Sequence, residues 1–139
     1  MATRDYGLDG IPSEQNWGDH ISDSGYIANL NDGDDNSYYR KSKGIQGTQA
    51  GTFEVKLQLV PTHFIEEIKF ITEFTGGNHN PPDTYYNVGF KLQYWNGSWQ
   101  TLYNQVLTTD FSEAKTTRSY TNAGAGFENV TYARMWITW

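Results

Sequence analysis

Alternation of hydrophobic and polar residues is the strongest regularity in this chain. Every odd position of the segment 53–59 is apolar and every even position is polar, which is the period of a strand with one buried face. The same alternation marks the segments 68–74, 88–94, 98–103 and 133–139. No segment repeats its apolar residues with the 3.6-residue period of a helix. The pattern therefore predicts an all-β chain.

The Asn-Gly pair at 96–97 separates two of these alternating segments. Both residues tolerate the positive φ of a type I′ turn, so the pair predicts a hairpin. We predict an antiparallel β-sandwich in which Met135 and Ile137 are packing residues, whereas Trp95 and Trp136 point to the opposite side. The aromatic residues that alternate with polar ones and that we expect in the core are Phe53, Phe70, Phe74, Phe90 and Trp99.

Long polar segments separate the predicted strands at residues 1–29, 75–87 and 108–126. Loops of this length in a compact domain are usually functional or disordered. The chain shows neither an internal repeat nor a low-complexity linker, so we expect a single domain over residues 1–139.

Composition and charge narrow the classes of function. The 139 residues include 5 Trp, 10 Tyr and 7 Phe, and a chain this rich in aromatic residues is expected to fold. Sixteen acidic against ten basic residues give a net charge of -6, which argues against nucleic acid as a partner. No apolar run is long enough to span a bilayer, so we expect no membrane insertion. The absence of Cys excludes disulfides and thiolate metal sites.

The segment 29–39 contains three carboxylates among carbonyl-rich turn residues. Oxygen ligands at this density suit Ca²⁺, which binds six to eight oxygens. An EF-hand is excluded, because its sixth and twelfth positions would need Gly and Glu where this chain has Ser37 and Lys43. A solvated turn between strands is the alternative interpretation.

Four motifs occur in a recognisable order, beginning within the acidic segment. They read Asp-Gly-Asp-x-Asn-Ser-x-Tyr at 32–39, Ile-x-x-Ile-x-Phe at 65–70, Phe-x-Leu-x-Tyr-x-Asn-Gly-x-Trp at 90–99 and Tyr-Ala-Arg-Met-Trp-Ile at 132–137. Together with the alternating strand after the first motif, they resemble the discoidin-like domains, which include coagulation factor C-type domains and family 32 carbohydrate-binding modules. The resemblance covers about residues 27–138. It implies an eight-stranded jelly roll with a galactose-binding-like topology.

The resemblance also implies a structural Ca²⁺ beneath the Asp-Gly-Asp turn. The matching ligands are the carbonyl of Asn29, the carboxylate of Asp32, the carbonyl of Asp34, and the carbonyl and hydroxyl of Ser37. A Glu on the family's final strand also binds the ion, and we place no counterpart of it in this chain.

Glycan recognition is the function that the resemblance implies, through loops at one end of the sandwich. Sugars pack their C–H faces on aromatic rings and hydrogen-bond to fixed polar groups. The residues that we expect to contact a glycan are Trp17, Arg40, His79, Asn80, Tyr85, Tyr86, Arg118 and Tyr120. The alternative for each aromatic residue in this set is a packing role in the core or at its rim. The loop 75–87 contains no Arg, although sugar-binding relatives carry one in the matching loop.

We therefore expect a non-catalytic carbohydrate-binding module or lectin, located outside the cell or on a cell or virion surface. No nucleophile, phosphate-loop or zinc-protease motif indicates an enzyme. The alternative is a structural or host-attachment module of a larger assembly, such as a phage tail fibre, a capsid appendage or a surface adhesin.

Overall fold

The computed structural model describes residues 4–17, 21–34, 36–43, 51–75, 87–108 and 111–138. These residues form nine strands and two short 3₁₀-helices, Tyr6–Asp9 and Ile27–Asn31. The strands are β1 (Ile11–Trp17), β2 (Ile21–Gly25), β3 (Tyr39–Lys43), β4 (Thr52–Ile65), β5 (Ile68–Phe74), β6 (Asn87–Trp95), β7 (Trp99–Thr108), β8 (Glu113–Tyr120) and β9 (Phe127–Thr138). Neither helix in this part of the chain is long and apolar enough to cross a membrane.

Five strands form one antiparallel sheet in the order β1-β4-β9-β6-β7. Two further antiparallel pairs, β2-β3 and β5-β8, form separate two-stranded sheets. The β5-β8 pair packs against one face of the five-stranded sheet, because Phe70 and Tyr120 contact the buried side chains of that face. The prediction of an all-β antiparallel sandwich is confirmed.

The core lies between these two sheets. Phe90 and Leu92 on β6 are completely buried, and Phe74 on β5 meets Phe90 edge-on with 4.9 Å between ring centroids. Met135 and Ile137 pack against the same cluster, as the alternation predicts. Phe53 is also buried, at 8% exposure.

Trp99 does not lie in this core, and its predicted position is wrong. The connection between β6 and β7 has three residues, 96–98, and only Gly97 among them has a positive φ, so the turn is not type I′. Trp99 consequently pairs with Trp95 instead of Tyr94. A shift of one residue turns a strand side chain to the other face, so Trp99 joins Trp95 on the face away from the core.

Three strands lie in segments that we expected to be loops. β1 and β2 fall within residues 1–29, and β8 falls within 108–126. β1 is an edge strand of its sheet, and β8 pairs with a single neighbour. Both strands contain few apolar residues, so they lack the apolar alternation by which the others are recognised.

Candidate functional site

Three acceptor oxygens of the acidic turn surround one hydroxyl. Ser37 Oγ lies 2.7 Å from Asp32 Oδ2, 3.0 Å from the Asp34 carbonyl oxygen and 3.3 Å from the Asn29 carbonyl oxygen. The structure therefore brings together all four residues of the predicted metal site. Because a hydroxyl has a single hydrogen, it fully satisfies only one of these acceptors at a time.

Local hydrogen bonds give the turn its shape. Asp32 Oδ1 accepts the backbone N–H of Asp34 at 2.8 Å, and Asp34 Oδ1 accepts that of Asn36 at 2.9 Å. Gly33 supplies the positive φ of 81° between the two aspartates. The turn thus directs a carboxylate and two carbonyls toward Ser37.

The electrostatics of the turn favour a charged Asp32. The hydrogen bond from Ser37 lowers the pKa of this carboxyl group, and the bond from the backbone of Asp34 lowers it further. Within the described ranges, no group of three His, Cys, Asp or Glu side chains comes close enough to hold a metal ion. A cation in this turn would be bound by carbonyl and hydroxyl oxygens together with one carboxylate. Oxygen ligands of this kind suit Ca²⁺.

The residues predicted to bind a glycan are divided among separate places. Trp17 ends β1, and the register places it in one row with Thr52, Thr138 and Gly89 at one end of the sandwich, which we call the Trp17 end. β5 ends and β6 begins at the Trp17 end, so residues 75 and 87, the first and last of the predicted loop 75–87, lie at that end. His79, Asn80, Tyr85 and Tyr86 lie outside the described residues. Arg40 is exposed on β3 of the separate β2-β3 sheet.

Arg118 is engaged within the protein. Its guanidinium donates to both carboxylate oxygens of Glu113, at 2.8 and 3.0 Å, and to Thr72 Oγ1 at 2.7 Å. It also lies 4.7 Å from the ring centroid of Tyr103. Burial works to lower the pKa of Arg118, but the hydrogen bonds and charge of Glu113 outweigh it and raise the pKa. These contacts connect β8 to β5 and β7.

Tyr120 lies far from Trp17. It borders an open depression of about 400 Å³ together with Tyr94 and Phe127. Tyr94 is five residues along β6 from the row of Trp17, which is about 17 Å at the rise of a strand. Burial raises the pKa of the Tyr120 phenol, so the group is neutral. Trp17 and Tyr120 therefore cannot contact the same small sugar.

An aromatic and cationic surface covers the side of the five-stranded sheet that faces away from the core. We call this surface the outer face. Its contacting side chains are Trp17, Glu54, Lys56, Gln93, Trp95, Trp99, Tyr132, Arg134 and Trp136. The guanidinium carbon of Arg134 lies 3.7 Å from the ring centroid of Trp99 and 4.1 Å from that of Trp136.

Polar contacts fix this stack in place. Arg134 Nη1 donates to Glu54 Oε2 at 2.6 Å, and Arg134 Nε donates to Gln93 Oε1 at 2.8 Å. Trp17 meets Trp136 with 5.7 Å between ring centroids and remains 43% exposed. Trp17 is among the residues that we expected to contact a glycan, whereas Arg134 and Trp136, which lie on the same face, are not. The sequence feature that indicates these two residues is the alternation Tyr-x-Arg-x-Trp at 132–136. Alternate residues of a strand face the same side, and here the three that face outward all carry large planar groups.

Comparison with known proteins finds no matching family model and no matching curated protein.

Proposed function

We propose that this chain is a non-catalytic carbohydrate-binding module that holds a glycan at the Trp17 end of the sandwich. The observation that carries the proposal is Trp17, whose indole remains 43% exposed while it contacts Trp136. Contiguous exposed aromatic surface is typical of a binding site, and Trp17 is continuous with Trp136 and the aromatic residues of the outer face.

The chemistry around Trp17 supports a sugar as the ligand. An indole ring packs against the C–H face of a pyranose, and neighbouring amides and hydroxyls exchange hydrogen bonds with its hydroxyl groups. The strands provide such groups beside Trp17, because Gln15 precedes it on the same face of β1 and Thr52 lies directly opposite. The loop 75–87 starts and finishes at the same end and is rich in Asn and Tyr.

A structural Ca²⁺ in the turn 29–37 is part of the proposal. Ligand oxygens 2.3–2.6 Å from one Ca²⁺ are separated from their neighbours by about 2.7–3.4 Å. The three distances from Ser37 Oγ, 2.7 to 3.3 Å, fall within that range. Asn29, Asp32, Asp34 and Ser37 would hold the ion, and its charge would satisfy the acceptors that a single hydroxyl hydrogen leaves open. The ion would stabilise the turn and would take no part in catalysis.

Glycan-array screening followed by isothermal titration calorimetry tests the proposal. We expect binding to at least one glycan, and we expect Trp17→Ala to weaken it at least tenfold. Tyr26→Ala is the matched control, because Tyr26 is 79% exposed and lies in a different part of the chain. Failure to bind any arrayed glycan at millimolar concentration, or equal binding by the wild type and Trp17→Ala, would refute the proposal.

A further inference from the structure

A shallow trough crosses all five strands of the outer face at the Trp17 end. The register places five residues in one row across the sheet, in the order Trp17, Thr52, Thr138, Gly89 and Val106. The residues at the two ends of the row are exposed, Trp17 at 43% and Val106 at 65%. Four inter-strand spacings make this row about 19 Å long.

Small residues form the floor of the trough. Thr52 and Thr138 are half-buried, and Gly89 beside them has no side chain. A Cβ atom at position 89 would lie only 2.7 Å from Thr138 Oγ1, so a larger residue there would collide with the hydroxyl. The trough therefore combines an exposed indole at one edge, hydroxyl groups along its floor and an aliphatic side chain at the other edge.

The charge of the outer face is opposite to that of the whole chain. Lys56, Lys91 and Arg134 are the cations of the four rows between Thr138 and Tyr132, and Glu54 is the only carboxylate that the described strands place in those rows. Three positive charges and one negative charge give +2, whereas the chain carries -6. Glu54 is also buried, at 6% exposure, and pairs with Arg134. The charge that this face presents to solvent is thus positive.

Lys91 is the cation nearest to the trough. It follows Gly89 on the same face of β6 and lies between Trp136 and Asn104 in the adjacent row. Lys56 approaches Glu54 at 3.6 Å, and Arg134 donates to Glu54 and Gln93. No ion-pair partner of Lys91 occurs among the described residues. Among the three cations, the Lys91 ammonium group is therefore the one that is available to pair with a ligand beside the trough.

We infer that the trough binds an anionic glycan, whose chain crosses the strands and whose acidic groups pair with Lys91. This inference rests on the proposed glycan-binding function and names the chemical class of the ligand. Trp17 stacks on a sugar ring at one edge, the floor hydroxyls and Asn104 exchange hydrogen bonds with the sugar, and the positive face attracts the carboxylates or sulfates. In a protein of net charge -6, a local positive surface favours the approach of a polyanion to this face over the rest of the molecule.

The test uses a panel of uronate, sulfated and sialylated oligosaccharides, each beside a neutral counterpart made by esterification, desulfation or removal of the sialic acid. Calorimetry at 50 and 300 mM NaCl measures the affinities. At low salt we expect at least one anionic member to bind ten times more tightly than its neutral counterpart, and this advantage should shrink at high salt. Equal affinity for both members of every pair would refute the inference and leave the proposed function intact. Absence of binding by every member would also refute the inference, whereas the glycan array tests the proposed function separately.

Three variants locate the interaction. Lys91→Gln should weaken anionic binding about fivefold and leave neutral binding unchanged. Lys69→Gln, which removes the same charge from an exposed side chain on β5, should change neither affinity. Thr52→Tyr, which fills the floor, should abolish binding while the circular dichroism spectrum stays native. If Lys69→Gln weakens binding as much as Lys91→Gln, or if Thr52→Tyr binds normally, the trough is not the site. A single-stranded oligothymidylate that binds as tightly as the best glycan would also refute the assignment.

Discussion

Arg134 donates a 2.6 Å hydrogen bond to the carboxylate of Glu54, directly beneath the aromatic rings of the outer face. Their side chains are only 10% and 8% exposed. The pair connects β9 to β4 and holds the guanidinium against Trp99 and Trp136. The outer face is therefore preorganised by an ion pair that solvent hardly reaches.

Removing Arg134 should destabilise the fold strongly. Arg134→Met removes the short ion pair of the buried Glu54 and leaves it only Lys56, at 3.6 Å, so we expect a loss of about 3 kcal/mol in the free energy of unfolding. Arg118→Met is the matched control, because its partner Glu113 is 27% exposed and water can solvate it, so we expect a loss of about 1–2 kcal/mol. Urea denaturation measures both values. Equal losses in the two variants would contradict the role given to burial.

Two glycines with nearly the same backbone conformation should respond differently to alanine. Gly25 has φ 80° and Gly33 has φ 81°, so each alanine adds about 1–2 kcal/mol of left-handed strain. A Cβ at position 25 would also lie 2.5 Å from the backbone oxygen of Tyr38, whereas at position 33 the nearest atom is a Leu8 methyl group at 3.4 Å. Thermal denaturation should therefore show Gly25→Ala to be the less stable variant. A Gly33→Ala protein as unstable as Gly25→Ala would argue against this geometry.

Calcium should stabilise the protein through the turn 29–37. At a Ca²⁺ concentration 100 times the dissociation constant, binding adds about 2.7 kcal/mol, which raises the Tm by about 5–10 °C. Ser37→Ala should lose most of this increase, because it removes one ligand from the centre of the set. Asp9→Asn is the control, since it changes an exposed carboxylate outside the turn. Identical Tm values in calcium and in EDTA would refute the metal site.

The protonation of Asp32 provides a separate test of the turn without metal. Its pKa is lowered in the folded state, so it stabilises the fold above its unfolded pKa, and this contribution disappears as the pH falls through the lower folded value. NMR titration of the carboxyl carbon should give a pKa below the ordinary value for Asp. Ser37→Ala should raise it, because the hydrogen bond from Ser37 is the largest cause of the shift. An unchanged pKa in that variant would contradict the hydrogen-bond geometry.

The central strands were predictable because burial of one face imposes a period of two on their residues. Phe90 and Leu92 show this period clearly, since neither tolerates exposure. β8 was not predictable, because its sequence Glu-Ala-Lys-Thr-Thr-Arg-Ser-Tyr has few apolar residues. The face of Trp99 was predicted wrongly because the turn has one residue more than expected, which reverses the facing of the residues that follow it on β7. The shift in strand pairing between Leu92 and Gln93 restores the expected facing farther along β7.

The candidate sites were predictable to different extents. The metal-binding turn is local in sequence, so the spacing of Asn29, Asp32, Asp34 and Ser37 is enough to bring their oxygens together. The trough joins residues from five strands, and their common row depends on strand order and register. Neither Gly89 nor Val106 has a side-chain chemistry from which the sequence could indicate that it lies in one row with Trp17.

The most direct test of glycan binding at the Trp17 end is an NMR titration that follows the indole N–H signals. Assigned ¹H–¹⁵N spectra of the wild type are recorded while the best-binding oligosaccharide from the array is added. We expect the Trp17 signal to shift most and that of its neighbour Trp136 to shift less, while Trp95 and Trp99 at the far end of the outer face stay unchanged. Shifts confined to Trp95 and Trp99, or to residues around Tyr120, would contradict the proposed site.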